Sequence, residues 1–427
     1  MGLGLVLVLA STFFVISIIS NFTVGTLTDE RGTIPLETLS SATNAYGYSP
    51  RLHARVAELS QQQGDLTTAE DHATQAIRLS PNNFNYRLLL ANIQEAVGDP
   101  KAAEESLRVG LALAPNKTDV HWQLANVLLR KGELDEAVDQ FRSACALNTK
   151  LLPVTLNLIW RASGGSSDLV EAVTGSHPEA RMKLAGFLLK HEETDNAIKI
   201  FNELGPKARL ISADAHDFLD TLIASGELKR ARELWIGTNA DAGLDRGLIW
   251  NGSFESESPK DLAQFDWTTY NNEFAKIRIG SVTAHTGTRS LRIEFAGRDT
   301  TKLDGEIKQL IVVRPNTHYK FEYYANAERL VSPEGPRVVV RRNDSQDQIA
   351  ASEPIVPSKP GWQRIEFDLD SPATPDAEPV ALVITVVRRA KFGYDEPTRG
   401  TLYLDDFSLV EQTERVTAQL LSNKTRR

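Results

Sequence analysis

The sequence is poor in residues that do covalent chemistry. Its 427 residues include one cysteine and eight histidines. A lone Cys145 forms no internal disulfide and supplies no thiolate metal site. It sits in "FRSACALN" among apolar helix positions, which reads as a small buried hydrophobe. The patterns H-E-x-x-H, G-x-S-x-G, the P-loop and G-x-G-x-x-G are all missing, so no zinc protease, serine hydrolase or nucleotide site is signalled. The histidines are scattered, and His191 in "KHEE" (190–193) reads as part of a solvated helix. Two-carboxylate glycosidase chemistry has no local motif, because its residues lie far apart in sequence. Here "FDLD" and "YLDDF" belong to strands with no catalytic surroundings. A basic surplus is also absent. Lys plus Arg number 47 against 56 Asp plus Glu, for a net charge of −9, and the acidic excess is spread over both halves. Nothing in that distribution offers a nucleic-acid surface.

Charge is missing altogether from the first 28 residues, and Leu3 to Ile19 is almost wholly apolar. A run of roughly 20 apolar residues is long enough to span a bilayer. No Lys or Arg precedes it and no small-x-small cleavage site follows, so an uncleaved anchor is expected over residues 3–24 rather than a removed signal. The expected organisation is an anchor at 1–28, a linker at 29–47, a helical array at 48–238 and a second linker at 239–247. A β domain at 248–411 and a tail at 412–427 complete it. The soluble domains are expected outside the cytoplasm.

Residues 48–246 repeat. Gly64, Gly98 and Gly132 keep a step of 34, as do Ala69, Ala103 and Ala137, and Pro81 and Pro115 share it. Each unit reads as two amphipathic helices with glycine at the turn, alanine where helices touch, and proline stopping the second helix. Two weaker copies follow. In "EARMKLAGFLLKHEETDNAIKIFNELGP" Glu192 stands where the glycine should be, whereas "SADAHDFLDTLIASGELKRARELWIG" keeps Gly226 and Ala231. This series resembles the tetratricopeptide repeat. The resemblance implies an all-α solenoid whose groove binds a protein or peptide partner. Asn92, His121, Asn126 and Arg130 lie on inner helices, but they do not form the repeated basic-plus-asparagine pattern of a carboxylate clamp.

After 247 the periodicity changes to alternation. Candidate strands are "KIRIG", "SLRIEFA", "EIKQLIVV", "HYKFEYYAN", "RVVVRR", "WQRIEFDL", "VALVITVVRR" and "TLYLDDFSL", with turn residues between them. An all-β sandwich is expected. In the last strand Asp405 is expected to share the face of Tyr403, Phe407 and Leu409. A buried carboxylate there needs a cation, an arginine or backbone N–H groups. Asp406, on the opposite face, is expected to be solvated or paired with a basic side chain.

The ordered segments "NGSFESE", "AHTGTRSLRI", "VVRPNTHYKFEYYA", "GWQRIEFDL" and "TLYLDDFSL" resemble the jelly-roll carbohydrate-binding modules of families four and nine. That resemblance implies a structural Ca²⁺ joining the first and last strands, with Glu255 and Asp405 as its side-chain ligands. Hard oxygen donors of this kind suit Ca²⁺. It also implies that glycans stack on aromatic rings, and Trp267, Tyr270, Phe392 and Tyr394 are the candidates. Trp250 and Trp362 read as packing residues. The whole is expected to be a non-enzymatic, membrane-anchored scaffold whose solenoid binds a protein partner and whose jelly roll binds a glycan or a second protein, in cell-envelope polysaccharide assembly or export. The competing expectation is an accessory or degenerate polysaccharide hydrolase targeted by its jelly roll.

Overall fold

The computed structural model describes residues 22–26, 28, 34–210, 213–238, 247–256, 264–281, 283–356, 360–390, 394 and 396–412. The chain divides into two compact units, 1–187 and 188–427. Among the described residues no helix is long and apolar enough to cross a membrane. This corrects the fold class expected above, which included a transmembrane helix. A spanning helix needs about 20 residues at roughly 1.5 Å each. The described part of the expected anchor belongs to a helical stretch of five residues, 22–26, and residues 3–21 lie outside the described residues.

In the first unit, α1 (Leu36–Tyr46) precedes three helix pairs that follow the period of the sequence. They are α2 (Pro50–Gln62) with α3 (Leu66–Leu79), α4 (Phe84–Val97) with α5 (Pro100–Leu113), and α6 (Thr118–Lys131) with α7 (Leu134–Leu147). Gly64, Gly98 and Gly132 all turn left-handed, at φ 84°, 91° and 82°. A side chain with Cβ resists that conformation. The residue after each glycine is the N-cap of the next helix. Asp65 and Asp99 cap it by accepting from Thr68 N at 3.1 Å and Ala102 N at 3.0 Å. Ala69, Ala103 and Ala137 are completely buried, as helix contact at those positions requires. Cys145 is buried, and burial raises its thiol pKa, which suits a packing residue. The stretch without a clean repeat pattern still pairs helices, α8 (Leu152–Ala162) with α9 (Ser167–Thr174).

Helix α10 (Pro178–Lys190) runs across the boundary between the units. In the second unit α11 (Thr194–Glu203) and a short α12 (Pro206–Leu210) precede the hairpin of α13 (Ala213–Ala224) and α14 (Leu228–Thr238). Glu192 takes the left-handed conformation its position demands, φ 65°, without being glycine.

Two five-stranded antiparallel sheets follow. One has the order β1 (Thr268–Thr269), β4 (Leu303–Val313), β9 (Val380–Arg388), β6 (Arg337–Arg342), β7 (Gln348–Ala351). The other runs β2 (Ala275–Ser281), β3 (Arg289–Ala296), β10 (Arg399–Glu411), β5 (His318–Val331), β8 (Gln363–Asp370). Alternating residues from both sheets fill the space between them, among them Ile293, Ile311, Phe321, Ile384 and Leu402. Helix α14 packs on the segment leading into β1. The Trp235 ring meets Trp250 edge-on at 4.8 Å and Phe265 at 5.7 Å.

Strand β10 is irregular where the two aspartates stand. Leu402 and Leu404 are core residues, and so are Phe407 and Leu409, so the inward positions are three residues apart instead of two. The pairing with β5 confirms one extra residue: Asp405 faces Tyr324, yet Ser408 faces Glu322. Asp406 supplies the bulge with a left-handed φ of 49°. The expected face of Asp405 is therefore corrected. It lies with Tyr403, opposite Leu402 and Leu404, and not with Phe407 and Leu409.

Candidate functional site

Asp405 is nevertheless completely buried, beneath the connection between β2 and β3. Its Oδ2 accepts from His285 N at 2.7 Å and Thr286 N at 3.4 Å, and its Oδ1 from Asp406 N at 2.8 Å. Burial pushes its carboxyl up to about 6 against the pull of those N–H groups, and the charge of Asp406 adds to the rise. Asp406 holds the same connection from outside, through His285 Nδ1 at 2.6 Å and Thr286 Oγ1 at 2.6 Å. The His285 ring stacks on Tyr324 with centroids 3.7 Å apart and meets Trp362 edge-on at 5.6 Å. Trp362 is only half-buried and stands outside the core, so the buried packing place expected for it is corrected: its ring packs on His285 at the surface.

Glu255 grips the next part of this connection. Its Oε1 accepts from Thr288 N at 2.8 Å and Arg289 N at 2.7 Å, and its Oε2 from Thr288 Oγ1 at 3.0 Å. Burial works to raise its pKa, but these donors outweigh it and the carboxyl sits below its ordinary value. The opening motif explains the placement. Asn251 closes a turn by bonding Ser256 through both ends of its amide, at 2.9 and 3.0 Å. Gly252 lies against the bulge, where its carbonyl accepts from Phe407 N at 2.9 Å. Phe254 enters the core beside Phe407.

Glu255 and Asp405 thus hold one connection, and backbone N–H groups supply the positive partner that Asp405 needs. By type the two acids fit Ca²⁺, and Glu255 Oε2 and Asp405 Oδ1 each accept a single bond, which leaves a lone pair on each. Among the described residues no group of three or more His, Cys, Asp or Glu side chains is placed to hold a metal ion. Any further ligands would have to be carbonyls.

The aromatic candidates separate. Trp267 is 7% exposed and belongs to the core, where it packs on Phe254 and Phe407 and donates to Asn251 O at 3.1 Å. Its expected glycan contact is corrected: a strand-end tryptophan satisfied inside the sandwich has no face to offer. Phe392 lies outside the described residues. Tyr394 is 70% exposed but does not line the groove described next.

Tyr270, 59% exposed, does line it. This groove of about 610 Å³ crosses the outer face of the first sheet. Lys308 and Leu310 of β4, Val383 and Thr385 of β9, and Arg341 of β6 contribute to it, with Asn343 and Gln346 from the following turn. Arg341 is fixed by an ion pair with Asp304 at 2.8 Å, and Arg389 binds the same carboxylate at 2.6 Å. Thr385 is 2% exposed, and its Oγ1 is buried without a hydrogen-bond partner. Such an orphaned hydroxyl is costly unless something polar reaches it. Amide and cationic groups beside one exposed ring are of the kind that can hydrogen-bond and stack on a polyhydroxylated ligand. Of these groove residues the sequence pattern singled out only Tyr270 as a glycan candidate; the others come from three strands and a turn and meet only through strand pairing.

On the repeats, three of the four inner-helix residues are engaged internally. His121 lies between Gln140 Oε1 and Pro115 O, both at 2.8 Å. Asn126 Nδ2 donates to Trp122 O at 2.7 Å, and Arg130 pairs with Glu95.

Residues 246–388 match the family model of a carbohydrate binding domain, and residues 61–116 and 90–150 match two tetratricopeptide-repeat models. No curated protein matches the chain. Among solved structures, the Yersinia enterocolitica type III secretion chaperone SycD, in complex with a peptide of the translocator YopD, is 21% identical. That match covers 28% of this chain and 88% of that one, with a TM-score of 0.24. YrrB, a tetratricopeptide-repeat protein with an unusual peptide-binding site, is 16% identical over 48% of this chain and 93% of its own, with a TM-score of 0.27. An arabinose-bound α-L-arabinofuranosidase is 18% identical over 40% of this chain and 27% of its own, with a TM-score of 0.28.

Proposed function

We propose, from the premise that the chain carries tetratricopeptide repeats ahead of a carbohydrate-binding domain, that it is a non-catalytic adaptor. The repeats hold a protein partner, and the sandwich holds a glycan on the outer face of its first sheet. The observation that supports the glycan half most directly is the groove in which exposed Tyr270 stands with the exposed polar side chains of Lys308, Asn343 and Gln346. A sugar brings both complements: C–H surface for the ring and hydroxyls for Lys308 and the turn amides. The pairing of two binding modules suits assembly or export of a cell-surface polysaccharide, where a glycan has to be brought to a protein machine. Ca²⁺ belongs to this reading as a structural ion held by Glu255 and Asp405. There it would reinforce the hold of the opening motif and the last strand on the β2–β3 connection.

The test is a glycan-array screen of the full chain, followed by titration of a captured glycan against wild type and Tyr270→Ala. Loss of one stacked ring is expected to weaken binding about tenfold. Unaltered binding by the variant would move the site elsewhere. No hydrolysis of the bound glycan is expected, and turnover abolished by a single carboxylate substitution would make the protein an enzyme.

A further inference from the structure

The groove has one wall that the sandwich does not supply. His216, Asp220 and Ile223 of α13 line it, and their spacing puts them on one face of the helix. The matched carbohydrate-binding region begins at 246, so these residues fall outside it. The wall is held in place from both sides. Gln264, just before β1, donates through Nε2 to His216 Nδ1 at 2.7 Å. Helix α14, the partner of α13 in the hairpin, is fixed by the stack of Trp235 on Trp250 and Phe265, and by Arg232 Nη2 donating to Gly247 O at 2.6 Å.

The hydrogen bonds also set the chemistry of the wall. With Nδ1 accepting from Gln264, the proton of a neutral His216 lies on Nε2, which donates to Asp220 Oδ2 at 3.1 Å. Asp220 is thereby oriented while half of its side chain (51%) stays exposed. A carboxylate held in this way accepts hydroxyl donors and repels acids. Gln264 Oε1 and the Thr385 hydroxyl, both from residues of this lining, are buried without a hydrogen-bond partner.

We propose that the glycan site is composite: Asp220 of the last helical hairpin is a direct ligand to sugar hydroxyls, and His216 is its positioning residue. The class of ligand is a neutral oligosaccharide, because Asp220 and Asp266 line the groove against Lys308, and Arg341 is already paired with Asp304. This inference rests on the groove reading above. In consequence the hairpin at 213–238 serves recognition as well as the helical array, and the sandwich alone holds an incomplete site.

The experiment uses the full chain and calorimetric titration with neutral β-linked gluco-, xylo- and manno-oligosaccharides, and with a uronate oligomer as counter-probe. Wild type is expected to bind a neutral probe in preference to the uronate. Asp220→Ala is expected to weaken it about tenfold or more, as losing a charge-assisted hydrogen bond does. His216→Ala should weaken it as well, whereas His216→Gln, whose amide still donates to Asp220, should restore most of the affinity. Melting temperatures of these exposed-site variants serve as the folding control. If Tyr270→Ala weakens binding while Asp220→Ala and His216→Ala bind like wild type, the composite site is wrong and the sheet-face reading stands. Preference for the uronate overturns the ligand class. If no probe binds, or Tyr270→Ala is without effect, the groove reading itself fails and the inference falls with it.

Discussion

The helical repeats and the β sandwich both depend on residues in the left-handed conformation, but they use them differently. In the repeats the same irregularity returns at Gly64, Gly98 and Gly132, each time reversing one helix into the next. A Cβ added at Gly98 or Gly132 would meet nothing within 4 Å, so only the backbone conformation demands glycine there. In the sandwich left-handed residues follow no period, among them Asn251, Phe254, Thr300, Arg329 and Asp406, and the one at Asp406 is pressed against the opening motif. A Cβ on Gly252 would come within 2.0 Å of the Phe407 carbonyl oxygen. A turn that recurs in open space can be tuned unit by unit, whereas a bulge pressed between chain segments is locked by its neighbours.

The sharpest way to break this comparison is to place alanine at one glycine of each kind. Gly98→Ala is expected to cost about 1–2 kcal/mol, the left-handed penalty alone. Gly252→Ala also drives backbone into backbone, so its cost is expected at or above the top of the roughly 1–3 kcal/mol overpacking range. Thermal unfolding of the full chain followed by tryptophan fluorescence would read both. Equal costs would mean that the opening motif yields as freely as a helical turn. Next in size are Ala103→Leu and Ala137→Leu. Both sites are completely buried at helix contacts, and each change should cost about 1–3 kcal/mol by overpacking. Unchanged melting of both variants would be incompatible with that packing.

What could be read from the sequence follows the same division. Repeat glycines and alanines announced the helix pairs because their contacts are local and recur at a fixed step. The eight long strands were legible from alternation, but the two short ones, β1 and β7, were not. Asp405 was recognised as an acid in need of a partner, yet its face came out wrong, because one extra residue reverses the alternation and leaves no mark on composition. Trp267 and Tyr270 stand three residues apart in similar surroundings, and only pairing with β4 decides that one is core and the other surface. His216 and Asp220 could not have been found at all, since they belong to a helical pattern and meet the groove only through tertiary packing.

The degenerate repeat sharpens the comparison from the other side. Glu192 keeps the left-handed turn at φ 65° without glycine, so part of its folding free energy is lost to strain. Glu192→Gly should stabilise the chain by about 0.5–1 kcal/mol, the relieved strain less the entropy of glycine. A destabilised variant would show that the Glu192 side chain contributes more than its backbone costs.

A pH-dependent difference separates the first and third repeats. His53 Nδ1 and His72 Nδ1 lie 2.8 Å apart, while the equivalent His121 meets Gln140 at 2.8 Å. Burial and the adjacent His53 hold His72 below its ordinary 6.5, although Asp71 opposes them. A histidine whose folded pKa is depressed binds fewer protons folded than unfolded. Its stabilising contribution is therefore present above 6.5 and lost as pH falls through the folded value. Denaturant unfolding at pH 7.5 and pH 5 should show this loss, and His72→Gln, which copies the third repeat, should reduce it. The same pH slope in both proteins would assign the effect to other groups.

The smallest expected effect concerns Ca²⁺, because the N–H groups of His285, Thr286, Thr288 and Arg289 already face the two acids that would hold it. An ion there adds only what mass action gives, so chelation should lower the melting temperature of the full chain by a few degrees. Asp405→Asn keeps an oxygen for the His285 and Thr286 donors but removes the charge that a cation needs. It should therefore melt close to chelated wild type and should not respond to chelator. Asp406→Asn, on the outer side of the bulge, should retain the chelator response. Identical wild-type curves with Ca²⁺ and with chelator would leave the N–H groups as the whole partner of Asp405. The β2–β3 connection would then be held as the repeat turns are, by backbone geometry and hydrogen bonds alone.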